Sequence, residues 1–415
     1  MNYKFFIAKR LRTGGDDTSG SSSAPILNIA MAAIVLAVVI MILSIVIVCG
    51  FKSEITRKLY SLTPNISIST IYPDAETELH KVCVDSIAPL MNDVEGIDRF
   101  YLVCDKPAVL KTNSDFKGIT LRGCDSPDTT YWKGLLTEGR LPHNDNTTNN
   151  REILISKTIA AQLQVNCGDK ILTYFIDDAV RVRNLKIVGV YNSDFEDYDN
   201  IMALCPPSLI RELNDWSDNE GSILALSVGD KSMIQDISYA LYQRFTNHCV
   251  ANSMAMSYSI SNTEQDYIAY FSWLNLLDTN IVIILVIMAA VSGFTLIAGL
   301  LIIVLGRIRT IGLLKALGCT NSAVRNVFIL LTQKLILKAI MLGNVIGIGF
   351  AIIQQQFHIL SLDPASYYMS FVPIEINPWH IVALNIGIFI VSYLTLVVPS
   401  LIISTISPTK ALNYE

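Results

Sequence analysis

The sequence predicts an α-helical membrane protein with four transmembrane helices and an α+β extracytoplasmic domain between the first and second of them. Three observations carry this. Four apolar runs are long enough to cross a bilayer. The acids sit mostly between residues 54 and 266, so the net charge of -5 is unevenly placed along the chain. The cations sit at the flanks of the apolar runs, the pattern of a membrane protein and not of a nucleic-acid binder.

The runs set nine segments. Residues 1–25 form a cytoplasmic amphipathic segment and linker: Phe5, Phe6 and Leu11 alternate with Lys4, Lys9, Arg10 and Arg12, and a stretch rich in Gly, Ser and Thr follows. Residues 26–49 are the first membrane helix, too long for a signal peptide and without a small-residue cleavage site. Residues 50–278 are the outer domain with its stalks, and 279–305 the second membrane helix. A basic segment at 306–326 leads to the third helix at 327–353. A loop at 354–380 holds no Lys or Arg, and the fourth helix at 381–403 precedes a tail at 404–415. Lys and Arg mark the inner side of a membrane, so both termini are expected in the cytoplasm and the 50–278 segment outside.

Within the outer domain, alternation predicts a strand at 65–71 and a helix at 76–91, then short strands at 99–103, 108–111 and 119–122. A β-rich second lobe follows, with strands at 151–155, 171–176 and 180–190, and Ser156 able to cap a helix over 157–163. A strand at 201–204, a helix opened by Pro206-Pro207, a strand at 223–228 and a helix at 232–245 complete the first lobe. Thr263 can cap a helix that runs unbroken into the second membrane helix. The acidic stretch 193–199 lacks the glycine and closing glutamate of an EF-hand loop and is expected as a solvated surface loop. Six cysteines fall in the outer domain with no CxxC; buried free thiols are expected, with one or two bridges left open.

Arg307 to Thr320 concentrates the interest. Ile308, Ile311 and Leu314 recur at helical spacing, with Arg307, Arg309 and Lys315 left near water or lipid phosphate. Gly318 can end that helix, and Asn321 or Ser322 can cap the next. Physically this is either a short helix lying on the membrane surface or a positive-inside loop with no further task. Gly293, Gly343 and Gly347 are candidates for close helix packing, the last two as a GxxxG pair, against ordinary tolerance of glycine in lipid. There is no Walker A loop, HExxH or GxSxG, and the five histidines are scattered, so neither an enzyme nor a metal centre is expected. The membrane helices hold no Asp, Glu or Arg at their centres, so any work done has to be powered from outside the chain.

The wording of the basic segment, Arg307-Ile-Arg-Thr-Ile-Gly-Leu-Leu-Lys-Ala-Leu-Gly318, resembles the cytoplasmic loop of the FtsX-like ABC transporter permease superfamily. Ile7-Ala8-Lys9-Arg10, Gly50-Phe51, Glu138-Gly139-Arg140, Arg151-Glu152-Ile153, Gly168-Asp169-Lys170, Asp363 to Tyr368, Pro373, Pro399 and Ser407-Pro408 follow in the family's order over nearly the whole chain. The likeness is to the LolC/LolE-type lipoprotein-releasing permeases, which implies a MacB-like periplasmic core as the outer domain.

That resemblance implies a non-catalytic permease half in the bacterial inner membrane. It would pair with a second permease half, as a homo- or heterodimer, and with a LolD-like ATPase subunit that holds the ATP and Mg; this chain would carry no cofactor. Arg307, Arg309, Ile311, Gly312, Lys315 and Gly318 would contact the ATPase. Lipoprotein cargo, membrane lipids and a LolA-like soluble carrier would be its other partners, with no nucleic acid. Phe51, Trp273, Leu274 and Leu277 are candidates for lining a lipid-facing opening between the stalks, against a reading as belt aromatics or stalk packing. The alternatives are an FtsX-type mechanotransmitter that activates a periplasmic hydrolase, and an efflux permease.

Overall fold

The computed structural model describes residues 23–71, 80–91, 94–125, 129–143, 151–176, 180–251, 258–306 and 308–400. The sequence readings at residues 1–22 and 401–415 lie outside these. The chain divides into two compact units, one of residues 55–271 and 362–371, the other of the remaining residues.

The second of these units is helical. It holds α1 (Ser23–Leu62) up to residue 54, α9 (Ile268–Gly306) from residue 272, α11 (Asn321–Phe357) and α13 (Pro378–Ser400), with the short α10 (Ile308–Ala316) between α9 and α11. Among the described residues four helices are long and apolar enough to cross a membrane, over Asn28–Leu62, Ile268–Ile302, Asn321–Phe357 and Pro378–Val397. Between residues 28 and 51 α1 is apolar on all sides, as a helix in lipid is, so what that stretch buries is chosen by packing. Ile34, Val38, Met41, Ile42 and Val46 form its buried stripe, at spacings of three and four. They meet Leu296 and Leu300 of α9, Phe328, Ile336 and Ile340 of α11, and Ile388 and Leu396 of α13 in one core. Leu36, on the far side of α1, is exposed.

The other unit is built on β1 (Ile66–Thr70), β2 (Val82–Cys83), α2 (Val84–Met91), β3 (Ile97–Lys111), β4 (Phe116–Cys124), α3 (Thr129–Leu135), β5 (Leu136–Gly139), β6 (Glu152–Ser156), α4 (Lys157–Leu163), β7 (Lys170–Ile176) and β8 (Val180–Tyr191). After them come α5 (Glu196–Asp199), β9 (Met202–Cys205), α6 (Pro207–Asn214), β10 (Glu220–Gly221), β11 (Ile223–Val228), α7 (Ile234–Ala251), β12 (Tyr258–Asn262) and α8 (Thr263–Asp266). The four-residue α12 (Pro364–Tyr367) belongs to the same unit. Ten strands make one sheet in the order β12-β1-β11-β3-β4-β9-β6-β8-β5, with β7 joining β3 to β8. That last pairing closes a ring: β3, β4, β9, β6, β8 and β7 return to β3. Inside it, Leu110, Leu121, Ile153, Ile155, Ile171, Phe175, Leu185 and Ile187 form a core completed by Ile159 and Leu163 of α4 and Ile210 and Leu213 of α6. A second core lies between the open end of the sheet and helices α2 and α7, through Ile66, Ile68, Leu102, Leu224, Leu226, Ile237, Leu241 and Phe245.

β3 serves both cores. The two short strands expected at 99–103 and 108–111 are one 15-residue strand. It runs through Pro107, which has no N–H to give to a ladder. On one edge β3 pairs with β11 up to Val103 and with β7 only from Val109, so the edge is open between them. Ser222 N donates to Val103 O and Asp105 N donates to Ser222 Oγ, so the odd positions face that edge. Pro107 shares their parity, and its missing donor falls in the gap.

Other expectations are corrected too. The helix expected at 76–91 starts at Val84, because Val82 and Cys83 pair with Gly221 and Glu220 as strand; residues 76–79 lie outside the described ones. Asn262, not Thr263, caps α8, taking a bond from Gln265 N at 2.9 Å, while the Thr263 hydroxyl donates to Pro64 O. Tyr267, at φ -115°, then separates α8 from α9, so the helix is not unbroken. The acidic stretch 193–199 is not a solvated loop: Phe195, Tyr198 and Asp199 are buried. Aromatic residues interleaved with the acids give it a core face, and Ser193 supplies the bonds that Asp199 loses from water, its hydroxyl at 2.7 Å and its N–H at 3.1 Å. All eight cysteines are free thiols.

Candidate coupling segment and the contacts around the membrane helices

α9 gives way to α10 at residue 307, and α10 is a helix of nine residues. Arg307 and the Arg309 side chain lie outside what the structure describes. Ile311 is fully buried and packs in the core of the long helices, with Leu314 half-buried beside it. Gly312, next to Ile311, is buried too. Lys315 is half-buried, and loss of water pulls its ammonium below the usual lysine range.

The segment ends in a tight turn. Gly318 adopts φ +90°, Gly318 N donates to Lys315 O, and Cys319 N donates to Leu314 O, each at 3.0 Å. That left-handed position suits glycine, which has no Cβ to clash. Thr320, and not the expected Asn321 or Ser322, caps α11 by accepting from Ala323 N. On the side away from Ile311, Leu313 of α10 (53 %) and Leu317, just past its end (75 %), are exposed. The sequence reading missed this pair. Its signal was available: two leucines four apart, on the face away from Ile308 and Ile311.

The glycines report on packing. A Cβ on Gly343 would sit 2.7 Å from Val38 Cβ, and one on Gly347 would sit 3.3 Å from Ile42 Cδ1. The GxxxG pair of α11 therefore faces two α1 residues that are themselves four apart. A Cβ on Gly293 would meet Thr395 Cγ2 at 3.3 Å, which places α9 against α13. Gly50, in α1, lies against the Pro373 backbone, where a Cβ would come within 2.5 Å of the carbonyl oxygen. Two polar contacts were not foreseen: the Asn344–Asn385 amide pair, and Gln354, which bonds Leu360 and Val372 at the end of α11.

The four candidates for a lipid-facing opening do not behave alike. Trp273 is exposed (37 %), Leu274 is buried (2 %), and Phe51 and Leu277 are half-buried. Leu274 therefore packs inside the protein. The residues following Phe51 and Leu277 make a direct link between α1 and α9, Lys52 Nζ to Asp278 Oδ2 at 2.6 Å. Among the described residues no cluster of His, Cys, Asp and Glu has the arrangement of a metal site.

Four membrane-length helices, a short basic helix between the second and third, and a separate α+β unit define a multi-pass membrane subunit of the permease class. The chain belongs to the FtsX-like permeases that carry a MacB-like periplasmic core domain: the model for that core matches residues 28–238, and the model for the FtsX-like permease C-terminal region matches residues 282–408. It is 20 % identical over 405 residues to the lipoprotein-releasing system transmembrane protein LolC of Neisseria meningitidis serogroup B, covering 93 % of this chain and 94 % of that protein. It is also 20 % identical over 410 residues to LolC of Xylella fastidiosa (strain Temecula1), covering 95 % and 94 %. Among solved structures it is similar to the extracellular domain of the noncanonic ABC-type transporter YknZ from Gram-positive bacteria (18 % identity, 47 % of this chain and 100 % of that one, TM-score 0.32). It is likewise similar to the periplasmic region of MacB from Actinobacillus actinomycetemcomitans (12 % identity, 50 % and 92 %, TM-score 0.32).

Proposed function

We propose that this chain is the permease subunit of an ABC-type lipoprotein-releasing system in the bacterial inner membrane. It turns ATP hydrolysis by a separate LolD-like ATPase into extraction of lipoproteins, paired with a second permease half. The observation that carries the reading is the end-to-end likeness to proteins named for lipoprotein release, through both the membrane helices and the outer domain. In this reading both termini and α10 lie in the cytoplasm, and residues 50–278 lie in the periplasm between the first two membrane helices.

α10 is the part that receives force. Ile311 anchors it among the long helices, and Leu313 and Leu317 face outward. A rigid short helix held on one side and bare on the other passes a push from a docked ATPase into α9 and α11. Arg307, Arg309, Gly312, Lys315 and Gly318 complete the docking surface, and ATP and Mg stay on the ATPase. The cargo leaves the membrane through the side of α1 and α9 near Phe51, Trp273 and Leu277, and a LolA-like carrier receives it.

Depletion of the protein tests the reading. Lipoproteins that normally reach the outer membrane are expected to stay in the inner membrane. Correct sorting together with loss of a cell-wall hydrolase activity would overturn release in favour of an FtsX-type mechanotransmitter.

A further inference from the structure

The loop between α11 and α13 has a neck and a tip. At the neck, Val372 N donates to Leu360 O at 3.0 Å. Gln354, 2 % exposed in the last turn of α11, holds both sides: its Nε2 donates to Leu360 O (3.2 Å) and Val372 O (3.3 Å), and its Oε1 accepts from Leu360 N (2.9 Å). The tip, residues 362–371, belongs to the same compact unit as residues 55–271, although the chain on either side of it does not.

Within that unit the tip is held by side chains from three other segments. The Tyr368 ring lies 5.1 Å from Phe195 and 5.6 Å from Tyr270, and those two lie 5.1 Å from each other. Lys58 of α1 donates to Tyr368 O at 3.0 Å and to Ser193 O at 2.9 Å. Ser370 Oγ donates to Asp194 Oδ2 at 2.9 Å, and the Tyr270 hydroxyl donates to Asp197. Tyr368 (φ 59°) and Asp194 (φ 54°) both sit in the left-handed region, unfavourable for residues with a Cβ and tolerated where surrounding contacts over-determine them.

We propose that the 362–371 loop is a strap and that Tyr368 is a positioning residue for the transmission step. It fixes the tip of the α11–α13 loop to Lys58 of α1 and Tyr270 of α9, with the 193–199 stretch as the common seat. The inference rests on the transport reading above. Covalent connection does the rest: a displacement of α11 or α13 reaches the tip through the Gln354 neck, and the tip passes it to the seat. Three rings and a lysine bridging two carbonyls resist being pulled apart more than either contact alone.

The test uses the full chain with its ATPase and second permease half in proteoliposomes, and a fluorescent triacylated lipopeptide as cargo with serum albumin as acceptor. Tyr368→Ala is expected to leave basal ATP hydrolysis within about twofold and to lower lipopeptide release per ATP at least tenfold, while Tyr368→Phe, which keeps the ring, stays within about twofold of wild type. Ser370→Ala, at an exposed position, should lower release per ATP by about threefold to fivefold and stands in if Tyr368→Ala fails to insert. Wild-type release per ATP in both alanine variants, or a Phe variant as defective as Ala, overturns the strap. Hydrogen exchange with and without ATP and vanadate separates the two readings. If the wild type releases no lipopeptide but 193–199 and 362–371 change protection together, and Tyr368→Ala uncouples them, transport fails and the strap stands. If release proceeds and the two segments do not respond together, the strap is wrong.

Discussion

Asn344 of α11 and Asn385 of α13 exchange amide hydrogen bonds, each side-chain NH2 donating to the other's oxygen at 2.8 and 3.0 Å. Each NH2 also reaches the carbonyl four residues back in its own helix, Ile340 O and Ile381 O. Donors and acceptors are thus matched where little water is available to substitute.

Asn344→Leu leaves the Asn385 amide without its partner. The expected cost is about 1–2 kcal/mol, the upper part of the range measured for such pairs in membranes. The double variant Asn344→Leu/Asn385→Leu should recover part of it, because no orphaned amide remains. Unfolding in mixed detergent micelles of the two single variants and the double one gives the coupling, and strict additivity would mean the pair contributes nothing.

Gly343→Ala forces a Cβ into Val38 and is expected to cost about 1–3 kcal/mol as overpacking. Val38→Ala in the same chain should relieve it. Gly349→Ala is the control: nothing lies within 4 Å of its added Cβ, so only the gain in helix propensity, about 1 kcal/mol or less, remains. Thermal denaturation in detergent reads all three.

Leu317→Asp places a charge just past the end of α10 at an exposed position, where folding has little stake in it. Insertion and yield should stay at wild-type level, and co-purification of the ATPase subunit should weaken at least tenfold. Arg309→Glu should act the same way if the basic side contributes to docking. Unchanged co-purification with both variants would remove α10 from the ATPase contact.

Asp199 makes stability depend on pH. Burial raises its carboxyl to about 6, with the Ser193 bonds opposing the shift. A raised acid binds its proton more tightly when folded, so its stabilising contribution is complete below the unfolded value near 4 and is lost as pH rises through 6. The span corresponds to roughly 2–3 kcal/mol as an upper figure. Chemical denaturation at pH 5 and pH 7 should show a larger drop for wild type than for Asp199→Asn; equal drops would refute the assignment.

Much of this could be read from the residues, and the rest could not for identifiable reasons. Ser156 was recognisable as a cap, and its hydroxyl accepts from Ile159 N at 3.0 Å. The four apolar runs are visible because lipid demands length and apolarity and little else. The continuity of β3 through Pro107 was hidden because it depends on where β11 stops and β7 begins, far away in sequence. Ring closure was hidden likewise, since β7 meets β3 across about 60 residues of chain with no local mark. For the site, the glycine positions were legible as small residues at a spacing of four, whereas their partners Val38 and Ile42 are ordinary members of a uniformly apolar helix. The seat at 193–199 looked polar because its acids outnumber its two aromatics, yet Phe195 is 1 % exposed.

β3 carries inward-facing residues for both cores, Leu102 for one and Leu110 for the other. The two halves of the outer domain are therefore not interchangeable cassettes. A chimera that swaps one half with a relative must carry residues 97–111 intact from a single parent, because a splice inside that strand would cut through the beam on which both halves are hung.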